Sequence, residues 1–223
     1  MRFLLLLTLS LTFVGCGTTF RVNATRFHEF QTNTEEAFNL KKTFNVVPYD
    51  KKQKGSLAFE SKAKIVSEKL EQYGMKREKN SPQLLVFLGY SIDGGVTKSG
   101  VVPTYGQTGG GSTSFSGSTY GSGGFNNFSG TAYSAPTYGV TGYQSYSRTE
   151  FTRNMSIKIV DIEKSTDDEI KSVFEAQTRS VGSSGIIDEV VPFMIEAIFQ
   201  DFPGPNGKTT KHDISKKSLE KKE

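Results

Sequence analysis

The stretch AFESKAKIVSEKLEQYG at residues 58–74, with the SPQLLVFL that follows at residues 81–88, decides the fold. Phe59, Ala63, Val66, Leu70 and Tyr73 recur at helical spacing, which predicts one apolar face, Lys69 on the solvent side and Gly74 as the stop. Leu84 to Leu88 is continuously apolar and reads as a strand buried on both faces. Upstream, Phe20, Val22 and Ala24 alternate with polar residues as a first strand, and Thr43 to Val47 forms a second that closes at Pro48. Downstream, Phe151, Met155, Ile157 and Ile159 alternate as a half-buried strand. Phe174, Ala176 and Thr178 mark the next, and the polar turn from Asp161 to Glu169 makes the two a hairpin. Val190 to Phe199 is an apolar helix. Pro192 is tolerated there in the first turn, so the helix should start near Asp188 and stop at Pro203-Gly204. The order β-β-α-β-(insertion)-β-β-α predicts an α+β domain, an antiparallel sheet with two helices packed on one face.

The insertion spans residues 94–147. Its only charged residue is Lys98, and it holds 14 of the 23 glycines and six of the nine tyrosines. Tyr105, Tyr120, Tyr133, Tyr138, Tyr143 and Tyr146 are the candidate contact surface, because a Tyr ring offers an apolar face with a polar tip. The segment reads as a flexible loop, as two extended arms prolonging the neighbouring strands, or as a self-associating or glycan-stacking segment. Pro-Thr-Tyr-Gly occurs at 103–106 and again at 136–139, compatible with facing arms. Tyr133, Tyr138 and Tyr143 recur every five residues, matching neither strand nor helix period, which favours the disordered loop.

Over 223 residues the chain is 35% hydrophobic and 22% charged, with a net charge of +4. Its mean hydropathy of -0.40 excludes a polytopic membrane protein. The body is neutral overall, because the positive balance sits at Arg2 and in a Lys-rich tail at residues 208–223. A nucleic-acid partner is therefore not expected. The tail reads as a solvated, disordered end, or as a weak attraction to anionic headgroups, envelope glycans or a partner.

Met1-Arg2 and the apolar run Phe3 to Val14 are too short to span a bilayer and fit a secretory signal over residues 1–15. The run ends in Phe13-Val14-Gly15-Cys16, which resembles a bacterial lipobox, with Phe13 where Leu is usual. The resemblance implies cleavage after Gly15 and lipid on Cys16, the sole cysteine of the chain. Such an anchor is effectively permanent. Gly17 follows in place of the Asp of an inner-membrane retention signal, so the expected location is the outer membrane of a bacterial envelope, facing the periplasm. The single domain then covers residues 16–207.

Thr43-Phe44, Gln72-Tyr73-Gly74, Ser81 to Val86, Ile157 to Asp161, Phe174 to Arg179 and Asp201-Phe202-Pro203-Gly204 together resemble the lipoproteins of domain of unknown function 4136. The resemblance runs from about Phe20 to Gly207 and implies the same core with a Gly- and aromatic-rich stretch between its middle strands. The aromatic usual before the strand at Val173 is absent here. No catalytic residue comes with these motifs. A similarity of element order extends to envelope transport-accessory and curli-secretion lipoproteins.

Nothing in the sequence assembles an active site or calls for a cofactor or metal. His28 and His212 are the only histidines and fall outside the predicted elements. Gly204 to Thr209 contains GxxGKT but lacks the strand and helix that give a phosphate loop its meaning. Asp161, Glu163, Ser165 and Asp167 alternate like calcium-loop ligands, yet Thr166 stands where the turn needs Gly and Ser172 where an acid belongs. A solvated turn is the simpler reading. The expected role is non-catalytic, binding or structural, with an envelope protein or glycan as partner. The alternative is an accessory subunit of an envelope transport or secretion complex, and an enzyme is the third class.

Overall fold

The computed structural model describes residues 19–30, 42–166 and 168–220. The chain divides into two compact units, one formed by the residues up to Gly95 and from Glu150 onward, the other by Val96–Thr149. The elements are β1 (Thr19–His28), β2 (Thr43–Pro48), α1 (Leu57–Gln72), β3 (Lys76–Arg77), β4 (Leu84–Ile92), β5 (Val96–Gly121), β6 (Gly124–Asp161), β7 (Ser172–Gly182), α2 (Ile187–Phe199), β8 (Thr209–Ser215) and α3 (Lys216–Glu220). The sheet order is β3-β2-β4-β6-β7-β1-β8, with β5 paired to β6.

The expected antiparallel sheet is corrected by these pairings: β2 runs parallel to both β3 and β4, so the sheet is mixed. The cause is α1. A helical crossover returns the chain to the end it left, and the next strand then runs the same way. The remaining core pairs, β4 with β6, β6 with β7, β7 with β1 and β1 with β8, are antiparallel.

One face of the first unit is the core. Val22, Phe44, Val86, Leu88, Ile157 and Phe174 point inward and are buried with Phe59, Ala63, Val66 and Leu70 of α1 and most of α2. The helical face of α1 follows the predicted register, and Gly74 takes the positive φ of 86° that ends such a helix. Lys69 does not face solvent as its spacing suggested. Its Nζ lies 2.6 Å from Glu196 Oε2 of α2, with both side chains largely buried.

Leu85 and Phe87 are half-buried, so β4 is covered on one face only and the expected two-sided burial does not hold. α2 begins at Ile187, which puts Pro192 just past the first turn. The tail is also corrected. Thr209–Ser215 is an edge strand on β1 with His212 and Ile214 turned inward, and its lysine Lys211 exposed. Among the described residues no helix is long and apolar enough to cross a membrane.

Candidate functional site

The Val96–Thr149 unit consists of β5 and the facing part of β6, a two-stranded ribbon. The disordered-loop reading thus gives way to the two extended arms. Because both faces of such a ribbon meet solvent, no one-sided alternation exists to be read. A five-residue spacing then places successive rings on opposite faces. Tyr105, Tyr120, Tyr133, Tyr138 and Tyr143 are each more than 70% exposed, and Tyr146 and Phe125 are exposed too. Glycines meet side chains of the facing strand. A Cβ at Gly117 would lie 2.5 Å from the Phe128 ring, one at Gly130 2.6 Å from Phe115, and one at Gly100 2.8 Å from the Tyr146 hydroxyl. Rings laid over glycine shield backbone that would otherwise be bare, a device known to stabilise ribbons. Threonines add cross-strand bonds, Thr97 with Thr149 at 3.2 Å and Thr108 with Thr137 at 3.3 Å.

The histidines lie within strands and are buried, contrary to the expectation that they sit outside regular structure. β1 continues its inward alternation past Ala24 into Arg26 and His28. Arg26 is 1% exposed and donates from Nε to the Ile198 carbonyl at 2.9 Å and from Nη2 to the carbonyls of Ala197 and Gln200. It thereby caps the C-terminal end of α2, where carbonyls lack helical partners and the dipole is negative. His212 Nε2 stands 3.3 Å from Arg26 Nη2, and its Nδ1 is 2.9 Å from Gln200 Oε1. A guanidinium only donates, so Nε2 accepts and the proton rests on Nδ1. Burial, and then the Arg26 charge, hold the His212 pKa below its ordinary value. His28 Nε2 is 3.0 Å from the Gly204 carbonyl, and the ring stacks on Phe30.

Of the acidic turn, Asp161 is committed within the fold. Oδ2 is 2.7 Å from Lys42 Nζ, and Oδ1 accepts the backbone N–H of Glu163 and Lys164. Burial opposes ionisation of Asp161, but the Lys42 hydrogen bond and charge outweigh it and leave the pKa below the usual carboxylate range. Ser165 Oγ donates to the Asp161 carbonyl and accepts from the Lys171 N–H. Gly204, Gly207 and Thr209 belong to the loop before β8 and its first residue. Gly15, Cys16 and Asp167 lie outside the described residues.

Two motifs distant in sequence meet beside the same C-terminal end of α2 that Arg26 caps. Tyr73 donates its hydroxyl to the Phe199 carbonyl at 3.0 Å, and its ring lies 4.9 Å from Phe202. Phe174 and Phe199 close on Phe202 at 4.9 and 5.2 Å. The model of the family described as Domain of unknown function (DUF4136) matches residues 28–204, a span that holds all four rings. The chain belongs to this family. Within DUF4136 these aromatics thus have a packing role here, joining α1, β7 and α2. No curated protein matches the chain. Among solved structures, a PDZ domain protein from Parabacteroides distasonis is similar at 13% identity and a TM-score of 0.44, over 89% of this chain. This chain spans 40% of that protein's length.

Proposed function

We propose that this DUF4136 protein is a lipid-anchored component of the bacterial cell envelope with a non-catalytic binding role. Acyl chains on Cys16 hold it in the outer membrane, facing the periplasm, and the aromatics of the ribbon contact an envelope protein or glycan. The observation that carries the binding role is the exposure of Tyr105, Tyr120, Tyr133, Tyr138 and Tyr143 on a ribbon whose only charged residues are Lys98 and Arg148. Exposed aromatics in a low-charge segment are the usual mark of an interaction surface, and a two-stranded ribbon is marginally stable in water without a partner. The commitment of both histidines and of Asp161 to structural bonds supports a role other than acid–base chemistry. The anchor rests on Gly15-Cys16 behind a twelve-residue apolar run.

Complementation of a deletion strain tests the contact surface. The triple variant Tyr133→Ser, Tyr138→Ser, Tyr143→Ser should lose the envelope phenotype at unchanged abundance and fractionation. Full complementation would move the contact surface off the ribbon. Separately, Cys16→Ser should abolish incorporation of a labelled acyl analogue and leave an uncleaved precursor, whereas continued labelling would remove the anchor.

A further inference from the structure

The face of the core sheet opposite the helices carries a cavity of about 670 Å³. Its floor follows from the strand register. Gly89 of β4, Ser156 of β6, Gln177 of β7, Thr25 of β1 and Thr209 of β8 pair in succession and form one ladder across five strands. The next ladder on the same face runs Ser91, Asn154, Arg179, Asn23. Four strand spacings make this floor on the order of 19 Å wide. Residues after β2 supply a wall: Tyr49, 69% exposed, and the turn Asp50 to Gln53.

Solvent faces of sheets commonly alternate charges, as the adjoining Lys158–Glu175 pair at 3.0 Å does. The cavity departs from that habit. Its lining has one acid, Asp50, and one base, Arg179, among amides and hydroxyls, with Lys211 just outside it on the second ladder. Gln53 closes the wall, its Oε1 buried. Gly89 carries no side chain where a Cβ would stand 3.0 Å from Ser156 Oγ and 3.2 Å from Tyr49 Cβ, so Tyr49 stands close over the floor.

We propose that this cavity binds a neutral glycan chain. Sugar hydroxyls donate and accept at once, and so do amides and hydroxyls of protein, whereas carboxylate or ammonium groups do only one. Asn23, Asn154 and Gln177 supply that two-way chemistry, and the Tyr49 ring supplies an apolar face for the C–H side of a pyranose. The lining itself carries one charge of each sign, Asp50 and Arg179, and so has no cluster of cations of the kind that recognises a phosphate. An extended peptide is a poorer occupant, because the backbone groups of these central strands are already paired with one another. The site lies within the core unit and is independent of both the anchor and the aromatic ribbon.

The test is saturation-transfer NMR on the full lipidated chain in detergent micelles, with the N-acetylglucosamine β-1,4 tetramer and cellotetraose as probes. At least one should bind saturably, with a Kd no weaker than about 10 mM. Asn154→Ala with Gln177→Ala, and separately Tyr49→Ala, should weaken it about tenfold or more at unchanged melting temperature. Lys158→Ala on the adjoining row, and the three-Tyr ribbon variant, should leave it unchanged. No saturable signal from either tetramer overturns the site. So does binding that survives the floor variants, or equal binding of tetraglycine, which would mark a peptide groove. Loss of binding in the ribbon variant alone would assign the glycan to the ribbon and overturn the cavity.

Discussion

Arg26 is a charge placed where its strand calls for an aliphatic residue, and it earns that place through the carbonyls of Ala197, Ile198 and Gln200. Arg26→Met would fill similar volume and strand those acceptors, for a loss of about 2–4 kcal/mol in urea unfolding. A loss under about 0.5 kcal/mol would show that water replaces the guanidinium without cost. His212 beside it sets a pH dependence. Its folded pKa lies below the unfolded value, so the unfolded chain takes up a proton first and stability falls as pH drops from 6.5 toward the folded pKa. Above 6.5 that contribution is complete. His212→Gln should flatten the slope in that window, as followed by melting between neutral pH and pH 5. Asp161 acts in a lower window: its depressed pKa stabilises above 3.8 and the contribution is lost as pH falls through the folded value. Asp161→Asn should therefore remove a decline below pH 3.8 and leave the histidine slope intact.

At the scale of elements, α1 offers a graded series. Leu70 is fully buried, so Leu70→Ala should cost about 2–5 kcal/mol. Lys69→Ala should fall between, at about 1–3 kcal/mol, because it leaves Glu196 in the α1–α2 contact without its ion partner. Lys64 is 74% exposed and pairs with Glu68 one turn on, so Lys64→Ala should stay within about 0.5 kcal/mol. Equal effects for Lys69 and Lys64 in denaturant titrations would place the Lys69–Glu196 pair in solvent. The apolar face of α1 was legible from spacing alone, as were β1, β2, β4, β7 and the end of β6. Lys69 was not, since periodicity assigns every lysine off the apolar stripe to water, whereas here a carboxylate from another helix meets it. β8 escaped notice because its inward positions are Thr210, His212 and Ile214, which hide the alternation among lysines. The parallel pairing of β2 and β4 has a readable sign in the strand–helix–strand order. The cavity floor could not be seen at all: single Ser, Asn and Gln residues on five strands become neighbours only through register.

For the molecule as a whole, the two units predict separable behaviour. No residue of Val96–Thr149 belongs to the buried core. Replacing residues 96–149 by a short Gly-Ser turn should leave cooperative unfolding and keep the melting temperature within a few degrees, about what ~1 kcal/mol would shift. Loss of cooperativity in calorimetry would mean that the core needs the ribbon. The same deletion should keep tetrasaccharide binding while losing the envelope phenotype, which separates the two roles in one variant. The ring-over-glycine contacts of the ribbon also bear on how such a segment changes over generations. Gly117 cannot gain a side chain while Phe128 lies across it, and Gly130 is bound in the same way to Phe115. Small and large residues in this segment should therefore vary as couples: a lineage that replaces one is expected to replace the other, and one that lengthens the ribbon to add both together. What looks in one dimension like a monotonous vocabulary of glycine, serine and tyrosine is, across the two strands, a rule of rhyme.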